Sequence, residues 1–227
     1  MRNRVLAPSL QLAARVSLSE ESHVYRAAGA IVKVHAAHDS FARELAAYRA
    51  LAGSRFVPAV LRVRTRTLVL EDLGDAIAVA SPVDVAALLG RVHAAAQPLD
   101  APSLAALRGA PPPAWIGDRA AYAEAIELAC RLYGSAYVPI ALGDLKPDHV
   151  RVRANGELAL FDFETFSPGV LGEIDVLALE SFAPQPDWCE LLAAYHRGRG
   201  HVLGDRELAL ARACLGLVAR ATRPELV

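Results

Sequence analysis

Apolar residues follow strand-like alternation through much of the first ~75 residues and helix-like spacing through most of what comes after. Val24 to His35 reads as a hairpin bent at Gly29, and the period of two puts Lys33 on one strand face with Ile31 and His35. Asp39 or Ser40 is suited to cap a helix running to about Leu51, with Phe41, Glu44, Leu45 and Tyr48 on one stripe. A glutamate among apolar positions is costly unless a cation faces it, and Lys33 is the candidate cation. The other reading sets Glu44 at the edge of the stripe, reaching water. Two strands follow, around 60–65 and 67–71, in which Arg62, Arg64 and Arg66 alternate with apolar neighbours as on a solvated sheet face.

Ser81-Pro82 starts a helix, with Ser as cap, Pro in the first turn and Asp84 near the positive end of the helix dipole. Residues 97–113 hold Pro98, Pro102, Pro111, Pro112 and Pro113 and form a linker or meandering loop. A helix is predicted from about Asp118 to Tyr133. A hairpin follows later: 149–153, a turn at Asn155-Gly156, then 157–162. The remainder is helical, broken by Pro184, Pro186 and the stretch from Gly198 to Gly204. No internal repeat is present. Strands first and helices after predict an α+β protein: a small β-rich lobe over residues 1–75 and a mainly helical lobe over 76–227.

The chain's 227 residues, 54% of them hydrophobic, suffice for a sizeable core. A net charge of −1 gives no electrostatic reason to expect nucleic acid or an anionic membrane as partner. Cys130, Cys189 and Cys214 have no metal-ligand spacing and read as free buried thiols in a reducing cytosol. Gln11 and Arg15 interrupt the first apolar run, which argues against a signal peptide, and no apolar stretch approaches the ~18 residues of a membrane span. The expectation is a cytoplasmic protein. His93, Trp115 and Trp188 read as core residues. Nothing here specifies the oligomeric state.

Of 24 basic residues, only Lys33 and Lys146 are lysines. Lys146 lies in Gly143-Asp144-Leu145-Lys146-Pro147-Asp148-His149-Val150, and Leu158-Ala159-Leu160-Phe161-Asp162-Phe163-Glu164 follows. The first segment offers a loop carboxylate, a lysine two residues on and a candidate metal ligand five residues on; the second adds another carboxylate at the end of a hairpin. Phosphoryl transfer calls for such a set: one carboxylate to orient the attacking hydroxyl, ligands for Mg²⁺ and a compact cation for phosphate oxygens.

In order along the chain, these pieces resemble the aminoglycoside phosphotransferase and choline kinase-like branch of the protein-kinase fold. The resemblance spans about residues 19–180 and implies a two-lobed, ATP- or GTP-dependent O-phosphotransferase. It implies that Asp144 orients the substrate hydroxyl, with Lys146 beside it in the catalytic loop. Asp162 and His149 would hold Mg²⁺, or Mn²⁺. Lys33 would meet the α- and β-phosphates with Glu44 as its ion-pair partner, and Leu70 and Asp72 would offer backbone groups to adenine. Asp175 resembles the aspartate that supports the catalytic loop from a following helix.

Three positions depart from the family pattern. His149 stands where asparagine is usual, and it reads either as a ligand, as in the similar macrolide phosphotransferases, or as a packing residue. Leu142 stands where a histidine usually precedes the glycine. No glycine-rich phosphate loop is present; Ser17, Ser19, Ser22 and His23 occupy the corresponding turn, with Ser22 the candidate phosphate contact. From Thr165 onward there are eight acids and six arginines, near balance, which favours a neutral or weakly charged hydroxyl compound, such as an antibiotic or other natural product, over a polycation. The alternatives are a pseudokinase, binding nucleotide without turnover, and, ranked lower, a nucleotidyl transferase on the same fold.

Overall fold

The computed structural model describes residues 14–18, 22–74, 80–97, 101–134 and 137–223. Its first part is a five-stranded antiparallel sheet in the order β1-β2-β3-β5-β4: β1 (Ala14–Leu18), β2 (Ser22–Ala27), β3 (Ala30–His35), β4 (Val60–Arg64) and β5 (Thr67–Glu71). β2 and β3 turn at Ala28-Gly29, where both residues have positive φ (50° and 76°), a turn whose twist suits an antiparallel hairpin. Helix α1 (His38–Ala50) crosses between β3 and β4.

Neither Asp39 nor Ser40 caps α1. The N-cap is Ala37, which has no side-chain acceptor, and the Ser40 hydroxyl donates to the Ala37 carbonyl at 3.2 Å. The helix is oriented by what its buried face meets, Glu44 included, and the reading that takes Glu44 to water is set aside: the residue is fully buried. β4 likewise differs from a strand with one solvated face. Every residue of it is exposed, Leu61 and Val63 as well as the arginines, because it is an edge strand that no layer covers.

Beyond the sheet the chain is mainly helical: α2 (Pro82–Ala95), α3 (Leu104–Leu107), α4 (Arg119–Tyr133), α5 (Glu173–Leu177), α6 (Trp188–Gly198) and α7 (Asp205–Thr222). Ser81 accepts from the Asp84 amide at 3.1 Å, and Asp118 accepts from the Ala121 amide at 2.9 Å, so both helix starts are set by their own side chains. α2 packs on α6 and α4 on α7. Glycines permit the first contact: a Cβ on Gly90 would lie 2.0 Å from the Tyr195 carbonyl, and one on Gly198 would lie 2.1 Å from the Ala87 carbonyl. α3 is a single turn inside the proline-rich stretch.

Two short ladders carry the loops of interest. β6 (Ile140–Ala141) pairs with β9 (Ser167–Pro168), and β7 (Val150–Val152) pairs with β8 (Leu158–Leu160). The β7–β8 turn is set by Asn155, whose side chain bonds both the Glu157 amide and the Glu157 carboxylate at 3.0 Å, and by Gly156 at φ 84°.

The buried core runs continuously from the sheet into the helices and includes Tyr122, Phe163 and Tyr195. His93 belongs to it at 1% exposed, while Trp115, expected there, is 54% exposed on the loop before α4; Trp188 packs against the core edge. The three cysteines are free thiols, of which only Cys214 is buried. Among the described residues, no helix is long and apolar enough to cross a membrane.

Candidate active site

Lys33 projects from β3 and is 5% exposed. Its ammonium reaches Glu44 of α1 at 2.9 Å, Asp162 at 2.6 Å and Glu164 at 2.8 Å. Burial alone would lower the pKa of this amine, but the charges of Glu44 and Asp162 outweigh it and hold the amine protonated, above the ordinary lysine value. Period-two geometry carries His35 to the same buried face, where its Nε2 lies 3.1 Å from the Glu44 carboxylate and its Nδ1 3.8 Å from Glu164.

Asp162 follows β8 in a left-handed conformation, φ 70°, which aspartate tolerates better than most residues. One carboxylate oxygen of Asp162 takes Lys33, and the other lies 3.6 Å from Nε2 of His149, which ends a 3₁₀ turn spanning Pro147–His149. Two ligands ~2.1 Å from one hard cation stand roughly 3 Å apart when adjacent and about 4 Å when opposite. The donor pair of Asp162 and His149 therefore fits a shared divalent ion, and an imidazole in the set favours Mn²⁺ more than an amide oxygen does.

The loop between β6 and the 3₁₀ turn carries Asp144 and Lys146, both half-exposed and joined as an ion pair. A hydrogen bond from Lys146 to Asp144 raises the Lys146 pKa. The loop is fixed from below. Thr165 accepts from the Asp144 amide at 2.9 Å and donates to the Leu142 carbonyl at 3.0 Å. Gly143 allows that approach, with φ 93° and a position where a Cβ would lie 2.0 Å from the Thr165 hydroxyl.

Asp175, buried in α5, accepts from the Leu142 and Gly143 amides at 2.6 and 2.8 Å and faces Nε2 of His93 at 2.9 Å. His93 Nδ1 meets the Tyr195 hydroxyl at 2.8 Å, and Arg199 donates to that hydroxyl at 3.0 Å. Burial, more than Arg199 can offset, raises the Tyr195 pKa and keeps the phenol protonated.

Lys33, Glu44, Asp144, Lys146, His149, Asp162, Glu164 and Thr165 line one cavity of about 410 Å³, together with Ser22, Leu70 and Asp72, while His35 stays behind it. Val24, Ile31, Leu70 and Leu73 are among the apolar residues of its wall. At its rim Arg26 grips Asp72 through two contacts, 2.7 and 3.2 Å, and Asp72 also accepts from the Gly74 amide. Leu70 stands in register with Ile31 on one side and Val60 on the other. Next to it, Glu71 is tied to Arg153 of the β7–β8 hairpin and to the Ala59 amide at 3.0 Å; burial works against its ionisation, but these bonds lower its pKa on balance. Ser22 is buried at the start of β2, and the preceding turn at 19–21 lies outside the described residues.

The sequence thus pointed to residues that the fold gathers in one place, but it assigned nothing to His35, Arg26, Glu164 or Thr165. Glu164 adjoins the hairpin carboxylate, and His35 shares the face of Lys33; these were the available signals.

The chain matches no family model and no curated protein. Its fold matches solved structures across nearly its whole length. A choline/ethanolamine kinase family protein from Mesorhizobium loti is 15% identical, with 99% of this chain and 83% of that one covered, at a TM-score of 0.53. An ethanolamine kinase from Plasmodium vivax is 10% identical, covering 93% and 72%, at 0.60. A spectinomycin phosphotransferase in complex with ADP and spectinomycin is 10% identical, covering 94% and 82%, at 0.50. The chain shares the fold of these solved structures.

Proposed function

We propose that this protein is a cytoplasmic, two-lobed small-molecule kinase that moves the γ-phosphoryl group of ATP or GTP to a hydroxyl of a small organic acceptor. The observation that carries the reading is the meeting in one cavity of Lys33 with Glu44, Asp162 with His149, and Asp144 with Lys146. In this reading residues 1–75 and 76–227 are the lobes, and the nucleobase lies against Val24, Ile31, Leu70 and Leu73, its edge bonded by backbone groups at Asp72, past the end of β5, because Leu70 itself is paired on both sides in the sheet. Ser22 and Lys33 face the phosphates, with Lys33 aimed by Glu44. Asp162 and His149 would hold a divalent ion, whose positive charge would offset that of the phosphates.

Asp144 accepts a hydrogen bond from the acceptor's hydroxyl, turns its lone pair toward the γ-phosphorus and takes its proton as the bond to phosphorus forms and the bond to the leaving oxygen breaks. Lys146, released from Asp144, is placed to meet a transferred phosphoryl oxygen. The near balance of acids and arginines after Thr165 supports a neutral or weakly charged acceptor, an antibiotic or other natural product among them.

A direct test is ADP release from Mg²⁺–ATP and Mg²⁺–GTP with a panel of hydroxylated acceptors, beside a thermal-shift series with the same nucleotides. Acceptor-stimulated ADP release is the expected result; the absence of both a nucleotide shift and turnover refutes the reading. A second reading, a nucleotide-binding pseudokinase, is favoured by the mutual satisfaction of the site's charges, Lys33 by three carboxylates and Asp144 by Lys146. It predicts the thermal shift without turnover on any acceptor.

A further inference from the structure

We propose that His93 is a positioning residue for the Asp144 loop, acting through Asp175 as the end of a buried chain that runs Arg199, Tyr195, His93, Asp175. This rests on the phosphotransferase reading and extends it to a helix that contributes nothing to the cavity.

Asp175 is fully buried, and a buried carboxylate is stable only when its oxygens are saturated with donors. Two donors are the amides of Leu142 and Gly143, the residues directly before Asp144. The third is Nε2 of His93, reaching in from α2 at 2.9 Å. Opposite, the Tyr195 oxygen accepts from Arg199 at 3.0 Å, so its own proton is directed to Nδ1 of His93 at 2.8 Å. That assigns the Nε2–H tautomer, which is the donor Asp175 requires. Arg199 is held in turn by the Tyr137 ring, 4.4 Å from its guanidinium carbon. Each link has a defined donor direction, and the links come from α2, α5 and α6. Gly172 leaves the space the ring occupies: a Cβ there would lie 2.7 Å from His93 Nδ1.

Loss of the imidazole leaves Asp175 with a vacant lone pair in a dry interior. The carboxylate then shifts to find a donor and carries the two loop amides, and Asp144, with it. Ground-state binding of nucleotide at Lys33 is untouched, whereas alignment of the attacking hydroxyl is lost.

The test compares His93→Leu, His93→Gln and Tyr195→Phe in the full chain, reading ADP release and nucleotide affinity. His93→Leu should lower kcat roughly 10- to 100-fold, the scale of a misplacement near 1 Å, with KM for Mg²⁺–ATP within about twofold of wild type. His93→Gln, whose amide can still donate to Asp175, should recover most of that loss. In an Asp144→Asn background His93→Leu should add nothing, since both changes remove one function. Should His93→Leu fail to fold, Tyr195→Phe reads the same chain one link away and should lower kcat in the same direction. Wild-type kcat in folded His93→Leu or Tyr195→Phe, equal losses in His93→Leu and His93→Gln, or multiplicative losses with Asp144→Asn would each overturn the assignment. Wild-type protein that neither binds nucleotide nor releases ADP refutes the kinase reading itself, and this inference falls with it.

Discussion

At the scale of single residues, the site is a set of charges that satisfy one another. On the proposed mechanism, Asp144→Asn would keep the shape of the loop but lose the acceptor for the hydroxyl proton; turnover should fall roughly 10²- to 10⁴-fold while nucleotide affinity stays near wild type, read by initial rates and a nucleotide titration. Lys33 behaves differently. Its ammonium serves three carboxylates, one of them in the fully buried Glu44. Lys33→Ala strands that charge, so the variant should lose about 3–5 kcal/mol of stability in chemical denaturation as well as its grip on nucleotide. A folded Lys33→Ala protein of wild-type stability would show that the carboxylates find water. At His149, Asn should support Mg²⁺-dependent turnover with less advantage for Mn²⁺, and Ala should raise the metal concentration needed for half-maximal rate. If His149→Ala titrates with Mg²⁺ like wild type, the histidine only packs.

At the scale of elements, close approaches set the geometry. α2 and α6 touch through glycines, and Gly90→Ala would drive a methyl group into the Tyr195 carbonyl. The helices must part, which should cost roughly 1–3 kcal/mol. The same shift moves His93 and Tyr195, so turnover of the folded fraction should also fall. On α6 itself, His196 is fully buried, and burial first, then the charge of Arg199, pushes its pKa from 6.5 down to about 3. The unfolded chain takes up the proton near ~6.5 and the folded chain only near the lower value. Between them the unfolded state binds more protons, so stability rises with pH. The contribution of neutral His196 is complete above about pH 6.5 and fades as pH falls toward 3. Urea midpoints at pH 7.5 and 4.5 should therefore differ more for wild type than for His196→Gln, and equal differences would disprove the assignment.

At the scale of the whole molecule, the cavity is lined from two distant stretches of the chain, residues 22–74 and 144–165, and contacts such as Lys33–Asp162 and Glu71–Arg153 join them. A nucleotide seated there binds only the folded chain. Mg²⁺–ATP at about 100 times its Kd should raise Tm by roughly 5–10 °C, and adenosine, which lacks phosphates, should do less. A shift independent of phosphate would move the binding site away from Lys33.

Some features were legible in the chain itself because their causes are local. Ser81 and Asp118 cap helices by bonding amides three residues on, Gly29 bends a hairpin, and Asn155-Gly156 closes another. The loop at Asp144 and the carboxylate at Asp162 were likewise visible, since one short ladder holds both the His149 turn and the strand before Asp162. Other features were decided by approach in space. The start of α1 depends on burying Glu44 against β3, so its capping residues could not be read from composition. The exposure of β4 depends on its place at the edge of the sheet, and the exposure of Trp115 on where the proline-rich loop runs. Glu164 joins Lys33 across 131 positions of chain, while His93 meets Asp175 across 82 and Tyr195 across 102. No periodicity encodes such separations. They arise when helices that meet at glycines bring polar groups into a dry interior, where each buried donor or acceptor must find a partner and takes the one that packing supplies.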